Sequence, residues 1–205
     1  MKYIDLTHTF GEKMPVYPGD PEPSLTQIAE IAKEGFTDHE VKTCMHVGTH
    51  IDAPLHMIEN GKLISDFPLE HFFGKGHLVD ARKKESVDVD LLDGISLGKG
   101  DIVLVMTGLS AKYHDDAYLQ YPELTVAFAQ RLVDAKVSIV GMDIISPDRE
   151  PYATHKVLLG NDVLIIENLT NLKELIDVPA FEVIALPWKL QANGAPVRVV
   201  ARVEE

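Results

Sequence analysis

The stretch His46-Val-Gly-Thr-His50-Ile-Asp52-Ala-Pro-Leu-His56 limits this chain more than any other, because it cannot be helical. Pro54 lacks the amide hydrogen a helix would use, and its ring would clash with the carbonyl of His50. It also drives Ala53 out of the α region. The segment must therefore run extended or looped, with Gly48 free to take a left-handed backbone angle. Side chains alternate along an extended stretch, so His50 and Asp52 share a face, and a sharp turn at Gly48 swings His46 in beside them. Imidazole nitrogen and carboxylate oxygen are the donors that borderline divalent cations take. Packing alone requires no such concentration of them. Three local ligands also leave a coordination position open for water, as a catalytic site requires.

The whole chain bounds the partners. At 205 residues it can bury one sizeable core, and we read one domain over 1–205. Nineteen basic against thirty-two acidic residues give a net charge of -13, which repels phosphate backbones and anionic membranes. We expect no nucleic-acid partner and no membrane partner. The single cysteine, Cys44, allows no internal disulfide. It lies two residues before His46, within reach of the same metal, although a free cysteine is more often a small buried hydrophobe. The N-terminus lacks an apolar signal core, and the expected location is cytoplasmic.

Local patterns predict a mixed, strand-rich α/β chain. Residues 2–8 read as a strand, followed by a proline-stiffened loop carrying Phe10 and Tyr17 that suits a pocket wall. Residues 25–32 and 38–46 read as a hairpin whose second strand delivers His46. Residues 77–82 and the apolar run 101–107 are further strands, the second buried on both faces. Apolar positions at 124, 128, 132 and 135 predict an amphipathic helix over 123–136 with Thr125 near its cap. A strand over 137–143 follows at once and completes a βαβ-like unit. A short helix over 153–159 stops at Gly160-Asn161, and 163–166 is a buried strand ending in Glu167. The C-terminal run adds strands around an Asn193-Gly194 turn. Taken alone, His155 reads as a helix-surface histidine and Glu167 as a strand-end residue meeting water. Asp143 reads as a strand-end aspartate that caps a turn or supports a ligand from behind.

The pattern H-x-G-T-H-x-D-x-P-x-H resembles the signature of the cyclase family of metal-dependent hydrolases, which includes bacterial kynurenine formamidases and isatin hydrolases. His155-Lys-Val-Leu-Leu and Ile165-Ile-Glu167-Asn-Leu match the family's second ligand segment, and Asp143, Ser146 and Asp148 match its G-x-D-x-x-S-x-D stretch. Matching segments spread from Asp5 to Val200. The resemblance implies a swivelling β/β/α fold in a single domain. It implies that His46, His50 and Asp52 bind metal, that Asp52 bridges to a second metal, that His155 and Glu167 complete the set, and that His56 transfers protons. The implied cofactor is one or two divalent metals per chain, zinc favoured and manganese admitted. The implied activity is hydrolysis of a C–N amide bond in a small-molecule aryl formamide such as N-formylkynurenine. The alternatives are a cyclic amide or lactone, as in the isatin hydrolases, or metal binding without turnover. The family loop that contains Phe10 and Tyr17 looks like the substrate wall, and the kynurenine formamidases carry tryptophan where this chain has Tyr17. The resemblance also implies a homo-oligomer, a dimer or a tetramer.

Overall fold

The structure, a computed structural model, describes residues 1–204. Its elements in chain order are β1 (Lys2–Asp5), β2 (Ser24–Ala29), α1 (Ile31–Glu34), β3 (Asp38–Lys42), β4 (His50–Asp52), β5 (Phe73–Asp80) and β6 (Ser86–Val87). There follow β7 (Ile102–Met106), β8 (Glu123–Leu124), α2 (Val126–Ala135), β9 (Ile139–Met142), α3 (Ala153–Leu159), β10 (Leu164–Glu167), β11 (Phe181–Pro187) and β12 (Gly194–Val203). Short 3-10 turns fill most of the connections.

One mixed sheet organises the chain. Its order is β1-β12-β11-β5-β7-β9-β10-β4, and a further pairing of β4 with β12 closes it into a ring. β12 makes this possible by its length: Gly194–Pro196 pair with β4, while Val197–Val203 pair with β11 on the opposite edge. β1 continues along the edge that β4 begins, leaving no free edge there. β5, β7, β9 and β10 run parallel at the centre. β7 shows why an apolar run suits that position: Ile102, Leu104 and Met106 enter one core while Val103 and Val105 enter the other, and all five are buried. The first core fills the ring, against Val183, Val199 and Ala201. The second packs the outer face beneath α2, whose Phe128, Ala129 and Leu132 are buried.

Several boundaries differ from the sequence reading, each for a physical reason. β5 starts at Phe73, four residues before the expected His77, because Gly74 and Gly76 are strand residues, not breakers: a side chain on Gly76 would collide with the Phe181 ring on β11. α2 starts at Val126, with the Thr125 hydroxyl accepting from the Phe128 amide as its N-cap. The helix at 153–159 ends at Gly160, yet the left-handed residue is Asp162, not Gly160 or Asn161. β2 and β3 form the expected hairpin with α1 at its tip. β3 stops at Lys42, so His46 is delivered by the loop beyond it, where the chain leaves an exposed hairpin and turns into the ring.

Candidate metal centre

β4 is three residues long and carries two of the candidate ligands. His50 and Asp52 are buried on one face of it, and Gly48 before them has φ +68. That angle turns the chain back, so His46 Nδ1–H donates to Asp52 Oδ1 at 2.7 Å. A side chain at position 48 would meet the Met14 methyl at 2.9 Å, a second reason for glycine. Glu167, the last residue of β10, lies directly across from His50 in the antiparallel pairing, which brings their side chains to the same face. His50 Nε2 stands 3.2 Å from Glu167 Oε2 and 3.3 Å from Asp52 Oδ1. α3 supplies His155 from its buried side, with Nε2 at 3.5 Å from Glu167 Oε1 and 4.0 Å from Asp52 Oδ2. The residue-by-residue readings of His155 and Glu167 as surface groups are thereby corrected, since both are buried. Thr154, His155, Leu158 and Leu159 form the buried face of α3, and Asp148 satisfies the inner nitrogen of His155.

Those separations fit a divalent cation. Bonds of about 2.0–2.2 Å in tetrahedral arrangement set ligand atoms roughly 3.3–3.6 Å apart. His50 Nε2 and Asp52 Oδ2 are also buried polar atoms without a hydrogen-bond partner, a costly condition that a cation would relieve. His50, Asp52 and Glu167 offer ligand atoms within 4.8 Å of one another, as do His46, Asp52 and His56. Asp52 is the shared member. The second trio includes His56, which the sequence reading kept outside the ligand set.

Outer partners orient the rings. His50 Nδ1–H donates to the Gly48 carbonyl at 2.8 Å, and His155 Nδ1–H to Asp148 Oδ1 at 2.5 Å, each leaving Nε2 bare toward the centre. Asn193 Nδ2 donates to His46 Nε2 at 2.9 Å and lies 3.5 Å from His56 Nδ1. Asp143 instead accepts from Thr107 and Gly108 amides and from the Thr107 and Ser110 hydroxyls. It holds the turn after β7, the structural role among those expected of it. Asp148 and Asn193 are contacts that sequence reasoning did not assign; only their places in the G-x-D-x-x-S-x-D stretch and in a turn marked them. Cys44 is a half-buried free thiol packed against the outer core.

Neighbouring carboxylates govern the titration of the buried imidazoles. Burial disfavours charge on His50, but Asp52 and Glu167 outweigh it and raise the ring to about 10. For His155 burial acts the same way and Asp148, Glu167 and Asp52 raise it to about 9. Asp52 is pulled well below the carboxylate range, against burial, by His46 and His50. His56 is pushed down, first by burial. A cation bound here would compete with protons for the nitrogens of His50 and His155.

A cleft of about 310 Å³ opens onto this centre, lined by His46, His56, Met57, Ile145, Ser146, His155 and Glu167 inside and by Tyr17, Asp20 and Tyr152. The Tyr17 and Tyr152 hydroxyls are 3.5 Å apart. Phe10 lies outside this cleft, lining a separate recess with His8, Thr49 and Trp188. Of the two expected wall residues, only Tyr17 lines the cleft, joined by Tyr152. Among the described residues no helix is long and apolar enough to cross a membrane.

Comparison with known proteins points the same way. The profile of a family described as putative cyclase matches residues 4–149. A kynurenine formamidase of Salinibacter ruber is 31% identical over 218 residues, covering 98% of each chain. A solved structure of a potential metal-dependent hydrolase with cyclase activity is 32% identical with a TM-score of 0.83, covering 100% of this chain and 98% of that one. An isatin hydrolase bound to the product analogue thioisatinate is alike in fold, with a TM-score of 0.90 at 22% identity, covering 100% and 93%.

Proposed function

The chain belongs to the cyclase family of metal-dependent hydrolases, and on that premise we propose that it cleaves the C–N bond of an amide, an aryl formamide such as N-formylkynurenine being the leading substrate. The observation that carries this reading is the convergence of His46, His50, Asp52, His155 and Glu167 around two bare buried atoms at the end of a cleft. These five residues would hold one or two divalent cations, with zinc favoured and manganese admitted, and Asp52 shared between them. When bound, such cations supply Lewis acidity toward a carbonyl and toward water at neutral pH.

The chain's own groups do the rest. His56 lines the cleft, and burial lowers its pKa, which favours the neutral ring that a proton-transfer group needs before it accepts a proton. Asn193 Nδ2 lies 3.5 Å from its Nδ1, and the unprotonated ring nitrogen would take a proton from water and return it to the departing amine nitrogen. Asp52 and Glu167 would hold the cations whose positive charge would offset a developing oxyanion, while Tyr17 and Tyr152 line the cleft where the aryl group would lie. Protein without turnover would have no use for His56 in the cleft. The volume of about 310 Å³ is at the lower end for ligand sites and supports a compact substrate, which keeps an isatin-like cyclic amide or lactone as the second reading.

A panel of aryl formamides, isatins and lactones, run with and without chelator, tests the proposal. Chelator-reversible release of formate from an aryl formamide is the expected result. Metal-replete protein that turns over no amide would overturn it. The same premise carries a homo-oligomer, a dimer or tetramer of this chain, which light scattering on the purified protein reads directly.

A further inference from the structure

Tyr17, Pro18, Gly19 and Asp20 form a tight turn at the cleft. The Asp20 amide donates to the Tyr17 carbonyl at 2.9 Å, and Gly19 has φ +102, so proline and glycine fix the corner. Both ends of the turn, Tyr17 and Asp20, line the cleft. The Asp20 carboxylate is exposed and has no hydrogen-bond or ion-pair partner among the described residues. The other acidic group lining the cleft, Glu167, is occupied with His50 and His155.

The cleft contains no lysine or arginine. Arg149, whose charge reaches Tyr17, is already committed: it binds Glu123 Oε1 at 2.5 Å and the Leu119 and Tyr121 carbonyls. It also lies over the Tyr121 ring at 3.9 Å. A substrate carboxylate at the mouth would meet no lysine or arginine of the lining, and Asp20 would repel it. A substrate ammonium would find an unpaired carboxylate at Asp20, with Tyr17 and Tyr152 lining the same cleft. The net charge of -13 adds attraction of the same sign at long range.

We propose that Asp20 is a specificity-determining residue, and that the enzyme's substrates are amides bearing a positive charge, an ammonium or amidinium, at the end remote from the scissile bond. This rests on the amidohydrolase reading above.

The test uses the full-length, metal-loaded protein and two matched substrates, 4-(aminomethyl)formanilide and 4-carboxyformanilide, at low and high salt. Wild type should favour the ammonium substrate in kcat/KM by about fivefold or more at low salt, mainly through KM, with the ratio shrinking as salt rises. Asp20→Asn should bring the ratio toward one, and Asp20→Lys should reverse it. A ratio unchanged by Asp20→Asn, or a wild-type preference for the carboxylate, would overturn the inference. If neither formanilide is hydrolysed, the amidohydrolase reading fails separately. The inference is then decided by calorimetric binding of the matched acetanilides: tighter ammonium binding lost in Asp20→Asn supports it, and equal dissociation constants overturn it.

Discussion

Asn168 and His50 donate to one oxygen: the Asn168 side-chain amide reaches the Gly48 carbonyl at 3.0 Å, and His50 Nδ1–H reaches it at 2.8 Å. Asn168 follows Glu167 directly and sits at φ 57, a left-handed angle that asparagine accepts more readily than most residues. Tyr118 in turn donates to Asn168 Oδ1 at 2.8 Å, and Thr49 donates to the Asn168 carbonyl at 2.6 Å. Both ligand segments are thus tied through one buried side chain. Asn168→Ala should lower metal affinity by up to about tenfold, less than the loss of a direct outer partner of a ligand, because Asn168 fixes the carbonyl that orients His50. It should also cost roughly 1–3 kcal/mol of stability. Chelator competition and metal-free melting measure the two separately; lost stability with unchanged affinity would reduce Asn168 to a structural role.

Metal content tests the shared role of Asp52. Elemental analysis should find up to two divalent ions per chain. His155→Ala should empty one position selectively, whereas Asp52→Ala should weaken both. A full complement of one ion, unaffected by added metal, would remove the bridging role.

His56 belongs by geometry to a potential ligand trio and by exposure to the cleft wall. As a proton-transfer group, His56→Ala should keep its metal and lose roughly a hundredfold to ten-thousandfold in rate. A ligand would behave differently, losing metal affinity and recovering part of the activity in excess metal. Unchanged rate with unchanged metal content would sink both roles.

His8 gives an acid-side prediction independent of the ligands. Its ring stacks on Tyr113 at 3.7 Å with Nε2 unpartnered, and burial, then the neighbouring His114, push its pKa down to about 4 while the Leu169 backbone opposes them. The unfolded chain therefore binds the extra proton first, and stability is lost as pH falls from about 6.5 to about 4. The loss should be about 1–2 kcal/mol, less than full linkage because the ring is partly solvated. His8→Phe keeps the stack and should flatten this part of the profile in chemical denaturation. An identical slope in the variant would contradict the assignment.

The motif was legible because its information is local. Pro54 excluded a helix, alternation paired His50 with Asp52, and Gly48 turned His46 inward. Thr125 capped α2 for equally local reasons. What lay beyond local reasoning was everything set by sheet closure. Nothing around His155 says that its helix face is buried, and only the family spacing paired it with Glu167. Asn193 reads as a turn residue because its contact with His46 depends on β12 reaching β4. Phe10 and Tyr17 share one loop and one composition, yet only the fold decides which of them faces the cleft.

The closure of β4 between β10 and β12 has a consequence for how the protein is made. His50 is flanked by Glu167 on one side and Pro196 on the other, so the strand that carries the ligands has no local partner. During synthesis the motif leaves the ribosome early and must wait, unpaired, for both neighbours. Contacts this distant in sequence make assembly slow and leave the waiting segment open to wrong pairings. The pocket is complete only after β12 is in place.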